Sequence, residues 1–171
     1  MKERFGLVTL KGQPVTLLGN SLKEGDSAPD FHVTDNDFKP FSFASLEDNI
    51  VIIASVPSLD TPICDLEARR FNLEAAALGE AVRILTVSMD LPFAQKRWCA
   101  AAGVSNLLTL SDHKEASFGT EYGVLIKELR LLARAVFIVD RQKIIRYIEL
   151  VKEVGQEPNY DLALDVARKL V

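Results

Sequence analysis

The sequence predicts an α/β fold, a central mixed sheet with helices on both faces, and three observations carry that prediction. Short continuous apolar runs such as Ile50–Val56 have the β-branched content of strands covered on both sides. Segments of helical spacing alternate with those runs, which is the pattern of strands crossing over through helices. Two β-prone runs near the end, Ala135–Val139 and Ile144–Val151, stand so close together that they form an antiparallel hairpin.

In chain order, Leu7–Leu10 and Val15–Leu18 flank Lys11-Gly12-Gln13-Pro14 and predict a first hairpin within about residues 5–19, with Gly12 in its turn. A loop over Gly25–Pro29 leads to Phe31–Thr34, where the main body begins. After the strand at 50–56, a helix runs from Pro62 to Leu78. Leu66, Leu73 and Ala77 supply its apolar stripe, beside Phe71, Ala75 and Leu78. Residues 82–88 form the next strand, and Pro92 opens a helix that Gly103 stops after Ala102. A strand over Leu107–Leu110, a short helix or turn within Lys114–Tyr122 and the second hairpin follow. The last helix spans Asn159–Val171, with Leu162, Val166 and Leu170 on one face and Tyr160, Leu164 and Ala167 adjacent. No Pro/Gly-rich linker, repeat or low-complexity tract interrupts this order, so the expectation is one domain over 1–171.

Composition narrows the functional classes. With 20 Lys+Arg against 24 Asp+Glu the net charge is −4, and no basic face for nucleic acid is visible. No run reaches the roughly 18 apolar residues of a membrane span, and no apolar leader is seen, so a cytoplasmic setting is expected. Two cysteines, Cys64 and Cys99, are too few for a disulfide scaffold. With only two histidines and no short ligand pair, neither a metal site nor a cofactor site is expected. His32 and His113 read as structural or surface groups.

The informative segment is Pro57-Ser58-Leu59-Asp60-Thr61-Pro62-Ile63-Cys64, which joins the central strand to the first long helix. Thr61 suits the N-cap and Pro62 the first helical position, which puts Cys64 in the first turn. Free N–H groups and the positive helix end there favour a thiolate. Asp60 and Asp65 act in the opposite sense, while Arg69, on the same helix, and Arg134, just before the strand at 135, are the available cations. A free cysteine among apolar residues also serves as a small buried hydrophobe. The strand-to-helix corner favours the reactive reading.

Pro57, Thr61 and Cys64 match the Pro-x-x-x-Thr-x-x-Cys motif of peroxiredoxins. With Arg69, Phe71 and Asn72, the stretch Ser88-Met89-Asp90-Leu91-Pro92-Phe93-Ala94-Gln95, then Lys96-Arg97-Trp98-Cys99, and Leu131-Leu132-Ala133-Arg134, the chain resembles the bacterial thiol peroxidase subfamily over essentially its whole length. Trp98 stands where that pattern has phenylalanine. The resemblance implies a thioredoxin-like fold and an enzyme that reduces hydrogen peroxide and organic hydroperoxides. It implies that Cys64 is the peroxidatic cysteine, that Thr61 hydrogen-bonds sulfur and peroxide, and that Pro57 shields the sulfur from water. Arg134 is then the arginine that holds thiolate and peroxide. Cys99 is the resolving cysteine, forming an intramolecular disulfide that a thioredoxin-like protein reduces, and the chain is a homodimer. From the residues alone, Cys99 can equally be an inert thiol beside Trp98. A redox sensor using the same two sulfurs is the alternative to the peroxidase.

Overall fold

A computed structural model describes all 171 residues. The first hairpin pairs β1 (Glu3–Leu10) with β2 (Gln13–Leu18), longer than the apolar runs alone suggested. Its two-residue turn needs left-handed backbone at both positions, and Lys11 and Gly12 supply it with φ of 49° and 77°. The short strands β3 (His32–Thr34) and β4 (Pro40–Ser42) follow, then β5 (Ile50–Ser55), α1 (Pro62–Leu78), β6 (Val82–Ser88) and α2 (Pro92–Ala102). After β7 (Leu108–Ser111) come α3 (Ser117–Glu121), β8 (Leu125–Ile126), β9 (Leu131–Leu132), β10 (Ala135–Val139), β11 (Ile145–Leu150) and α4 (Tyr160–Leu170). The two-residue strands β8 and β9, and β4, carry too little pattern to be read from sequence.

A seven-stranded mixed sheet has the order β11-β10-β5-β6-β7-β3-β4. Its centre, β5-β6-β7, is parallel, and the flanking pairs are antiparallel. The hairpin extends through β8 and β9 into a separate four-stranded antiparallel sheet.

Alternation along the central strands divides the core in two. Ile50, Ile52 and Ala54 point to one side with Val136 and Ile138, where they meet Ala68 and Phe71 of α1, Trp98 of α2 and Ala163, Leu164 and Ala167 of α4. Val51 and Ile53 point to the other side with Phe137 and Val139, against Phe118 of α3 and Leu17, Leu125 and Leu132 of the small sheet. Helices therefore lie on both faces, but unequally: the second face is covered mainly by the hairpin sheet. No helix is long and apolar enough to cross a membrane.

Two of the expected helix faces are corrected. Leu66 and Leu73 are exposed on α1, and its buried face is Cys64, Glu67, Ala68 and Phe71. On α4 the exposed Leu162 gives way to Ala163, Leu164 and Ala167. Small side chains let a helix lie close on a sheet, so on α4 Ala163 and Ala167 share the contact face with Leu164 where leucine spacing pointed partly elsewhere.

Candidate active site

α1 starts where β5 ends. Thr61 is its N-cap in extended backbone and Pro62 its first residue, as expected, and Cys64 lies in the first turn, fully buried. The Thr61 side chain does not cap the helix, however: its hydroxyl donates to the Ser58 carbonyl at 3.0 Å. That bond tightens the loop and leaves the Oγ1 lone pairs to accept from another group. Asp90, just after β6, holds the same loop from the other side by accepting from Ser58 Oγ at 2.7 Å and from Leu59 N–H at 2.8 Å.

Of the two cations open from sequence, Arg134 reaches the sulfur. Its Nη2 donates to Cys64 Sγ at 3.1 Å, its Nε donates to the Val154 carbonyl at 3.0 Å, and its Nη1 donates to the Glu67 carboxylate. Ser55 Oγ donates to the Ala133 carbonyl at 2.7 Å, which fixes the backbone just before Arg134 at the end of β5. A guanidinium held at three points presents a directed donor to negative charge on sulfur. Arg69 faces away and pairs with Asp65 at 2.8 Å. Asp65 also accepts from Trp98 Nε1, so its charge is engaged away from the sulfur. Asp60 is exposed, 3.9 Å from Arg97.

Glu67 is the residue that sequence reasoning missed. It is fully buried one turn after Cys64 and forms an ion pair with Arg134. One carboxylate oxygen has no partner. Burial pushes its carboxyl up to about 7, against the downward pull of Arg134. For Arg134, burial acts to lower the pKa, but Glu67 and Cys64 outweigh it and raise it further. The available signal was an acid at i+3 from Cys64 on a helical face otherwise made of Ala68 and Phe71.

Beside the sulfur lies a cleft of about 350 Å³, walled mostly by aliphatic side chains: Leu10, Ile126, Leu131 and Val154, with Pro57, Thr61 and Arg134 also in its lining. Three of the residues singled out from sequence thus meet at one opening. The hairpin contributes Leu10 because Glu153 grips its tip, accepting from Thr9 Oγ1 at 2.5 Å, Lys11 N–H at 2.9 Å and Gly12 N–H at 3.1 Å. Those donors, the Thr9 hydroxyl first, hold the Glu153 carboxyl down to about 2.

Cys99 is not part of this assembly. Both cysteines are free thiols. Cys99 Sγ lies 3.3 Å from Thr109 Oγ1 and 3.8 Å from Asn36 Nδ2, in a different cleft formed with Val104 and Leu107. The sheet register aligns Thr109 with Thr86, Ala54 and Val136 in one row. Thr109 is therefore three strand spacings, ~14 Å, from β10, the strand that Arg134 precedes.

A buried cysteine at a helix start, met by an arginine donor beside an apolar cleft, is an arrangement suited to thiol-based redox chemistry. The profile of the AhpC/TSA family matches residues 25–148, and the chain belongs to that family. It is 54% identical over 162 residues to the thiol peroxidase of Oceanobacillus iheyensis, covering 95% of this chain and 98% of that one. It is 50% identical over 164 residues to the thiol peroxidase of Bacillus subtilis, covering 96% and 98%. A crystal structure of a peroxiredoxin-like protein from Aquifex aeolicus superposes with a TM-score of 0.91 at 41% identity, covering all of both chains. The fold is thioredoxin-like, and the chain is a peroxidase of the peroxiredoxin type.

Proposed function

We propose that this chain reduces hydrogen peroxide and organic hydroperoxides through a cycle that uses both cysteines. The observation that carries the proposal is the bond from Arg134 to the Cys64 sulfur beside the cleft lined by Pro57 and Thr61. In this reading the Cys64 thiolate attacks the outer oxygen of the hydroperoxide in line. The O–O bond breaks, Cys64 becomes a sulfenic acid, and the departing alkoxide or hydroxide takes up a proton to leave as alcohol or water. Arg134 donates to the negative charge as it shifts from sulfur to the leaving oxygen, and the Thr61 hydroxyl accepts from the peroxide O–H. Pro57 keeps water from the sulfur, and the aliphatic cleft wall accommodates an organic tail.

The Cys99 sulfur then attacks Cys64 Sγ. The S–O bond breaks, water leaves and a disulfide forms. A thioredoxin-like dithiol protein reduces it by exchange and is itself oxidised. Because each thiol is held by a different part of the sheet, and a disulfide needs α-carbons about 4.4–6.8 Å apart, resolution in this reading involves movement of the helix turns that carry the two cysteines. The proposal includes one domain over 1–171, a homodimer and a cytoplasmic setting, where two thiols stay reduced between turnovers.

Two substitutions test it. Cys64→Ser should abolish stoichiometric peroxide consumption. Cys99→Ser should spare the first turnover and stop recycling by a thioredoxin-type reductant. Steady turnover by the Cys99 variant without another thiol would refute the cycle, and slow, non-recycling oxidation of the wild type would favour the sensor.

A further inference from the structure

α2 is held on the body at two places, and the second joins the sequence neighbours of the two thiols. At its N-terminal half Gln95, fully buried, donates to Ser88 Oγ and to the Leu110 carbonyl, each at 2.9 Å. Beyond Gln95, Trp98 is the one buried side chain of the helix. Its indole packs in the core beneath α1, and its Nε1–H donates to Asp65 Oδ1 at 2.8 Å. The other Asp65 oxygen accepts from Arg69 Nε at 2.8 Å, and Arg69 Nη1 donates to the Ala102 carbonyl at 3.3 Å, so the last turn of α2 is tied to the same carboxylate.

Asp65 is the residue after Cys64, and Trp98 the residue before Cys99. Neighbouring helical residues point about 100° apart. Trp98 therefore faces α1 while Cys99 faces Thr109 on β7. A rotation of α2, or an unwinding that reaches Trp98, turns Cys99 toward α1 only by carrying Trp98 out of its place and breaking its bond to Asp65.

We infer that Trp98 and Asp65 form a latch that holds the resolving turn of α2 closed and thereby sets the rate of disulfide formation, leaving the first chemical step untouched by Trp98. The inference rests on the reading of Cys99 as the resolving cysteine. While the latch is closed the sulfenic acid persists, and a second hydroperoxide can oxidise it to the sulfinic acid, its own O–O bond breaking and an alcohol or water leaving. The latch thus sets the partition between disulfide and over-oxidation. Phenylalanine fills most of the indole's space but cannot donate, so Trp98→Phe separates packing from the hydrogen bond.

The test follows sulfenic acid, disulfide and sulfinic acid by rapid quench and intact mass after one addition of cumene hydroperoxide. It compares the wild type with Trp98→Phe, Asp65→Ala and the double variant. In Trp98→Phe, loss of Cys64 thiol should keep its wild-type rate. Disulfide formation should be about fivefold faster, the scale of one half-exposed hydrogen bond to a carboxylate, and the sulfinic fraction should fall. In the Asp65→Ala background the Trp98 substitution should add nothing, which a packing effect would not reproduce. If Trp98→Phe does not fold, Asp65→Ala alone must accelerate disulfide formation. An unchanged disulfide rate, or an equal acceleration in both backgrounds, overturns the latch alone. Absence of a Cys64–Cys99 disulfide in the wild type overturns the two-cysteine cycle and the latch with it.

Discussion

Cys64 and Cys99 carry the same thiol in opposite surroundings. Cys64 is fully buried at a helix start, and the donor at its sulfur is a guanidinium that Glu67 and the Val154 carbonyl hold in place. Cys99 is half-buried late in a short helix, and its sulfur meets only the neutral Thr109 hydroxyl and Asn36 amide. A charged donor fixed by a buried ion pair suits a group that must hold negative charge in one position. Weak neutral contacts suit the proposed resolving thiol, which in the proposed cycle leaves its place to meet Cys64. The first thiol is fixed at its own sulfur, whereas the second is held through its neighbour Trp98 rather than through its sulfur.

The largest break in that comparison should come from Arg134→Lys. An ammonium cannot bind Cys64, Glu67 and the Val154 carbonyl in the fixed directions of the guanidinium. Peroxide consumption per enzyme in the first turnover should fall by about a hundredfold, the scale of losing one aligned donor at a reacting centre. Stopped-flow measurement of a single turnover reads this directly, and a rate within twofold of wild type would remove Arg134 from the proposed mechanism.

A smaller effect concerns the ion pair behind Arg134. The Glu67 carboxyl titrates near 7 in the folded protein against an ordinary value of 4.5. Between these values the folded state binds more protons than the unfolded chain, so this group's contribution is full below about pH 4.5 and declines as pH rises through 7. The loss amounts to about 3 kcal/mol if the whole shift is expressed. Urea denaturation at a series of pH values should show that slope in the wild type and its reduction in Glu67→Gln. Parallel curves for the two proteins would mean that Glu67 does not change protonation over this range.

The smallest effect belongs to Cys99. Thr109→Val removes the hydroxyl at its sulfur and the partner of the Asn36 side chain, 2.8 Å away. Stability should change by no more than about 1.5 kcal/mol. Alkylation of Cys99 by iodoacetamide should become a few times faster while that of Cys64 is unchanged, as peptide mapping would show. A change at Cys64 instead would mean that the two surroundings communicate.

Local chemistry made much of this legible beforehand. Pro62 sets the start of α1, Gly103 takes the left-handed conformation that ends α2, and the β-branched content of 50–55 marks a central strand. Each is a short-range preference that acts wherever the segment lies. The same is true of Cys64 in the first turn of its helix. Glu67 was not legible in this way, because a single acid on a helix ordinarily faces water, and only the approach of Arg134 makes its burial tolerable. The exposed Leu66 and Leu73 show the converse, since spacing cannot say which of two stripes the sheet will cover.

The α/β order, the strand-to-helix corner and the pair of thiols with Arg134 as a candidate partner follow from the residues themselves. It took the folded chain to choose between Arg134 and Arg69, to turn Asp65 from the sulfur toward Trp98, to bring the hairpin over the cleft through Glu153, and to set the Cys99 sulfur against Thr109 of β7. The reason is range. Caps, turns and strand preferences act among neighbours in the chain, whereas direction and distance between Cys64 and Arg134, 70 residues apart, depend on how strands β5 and β10 pair in the sheet.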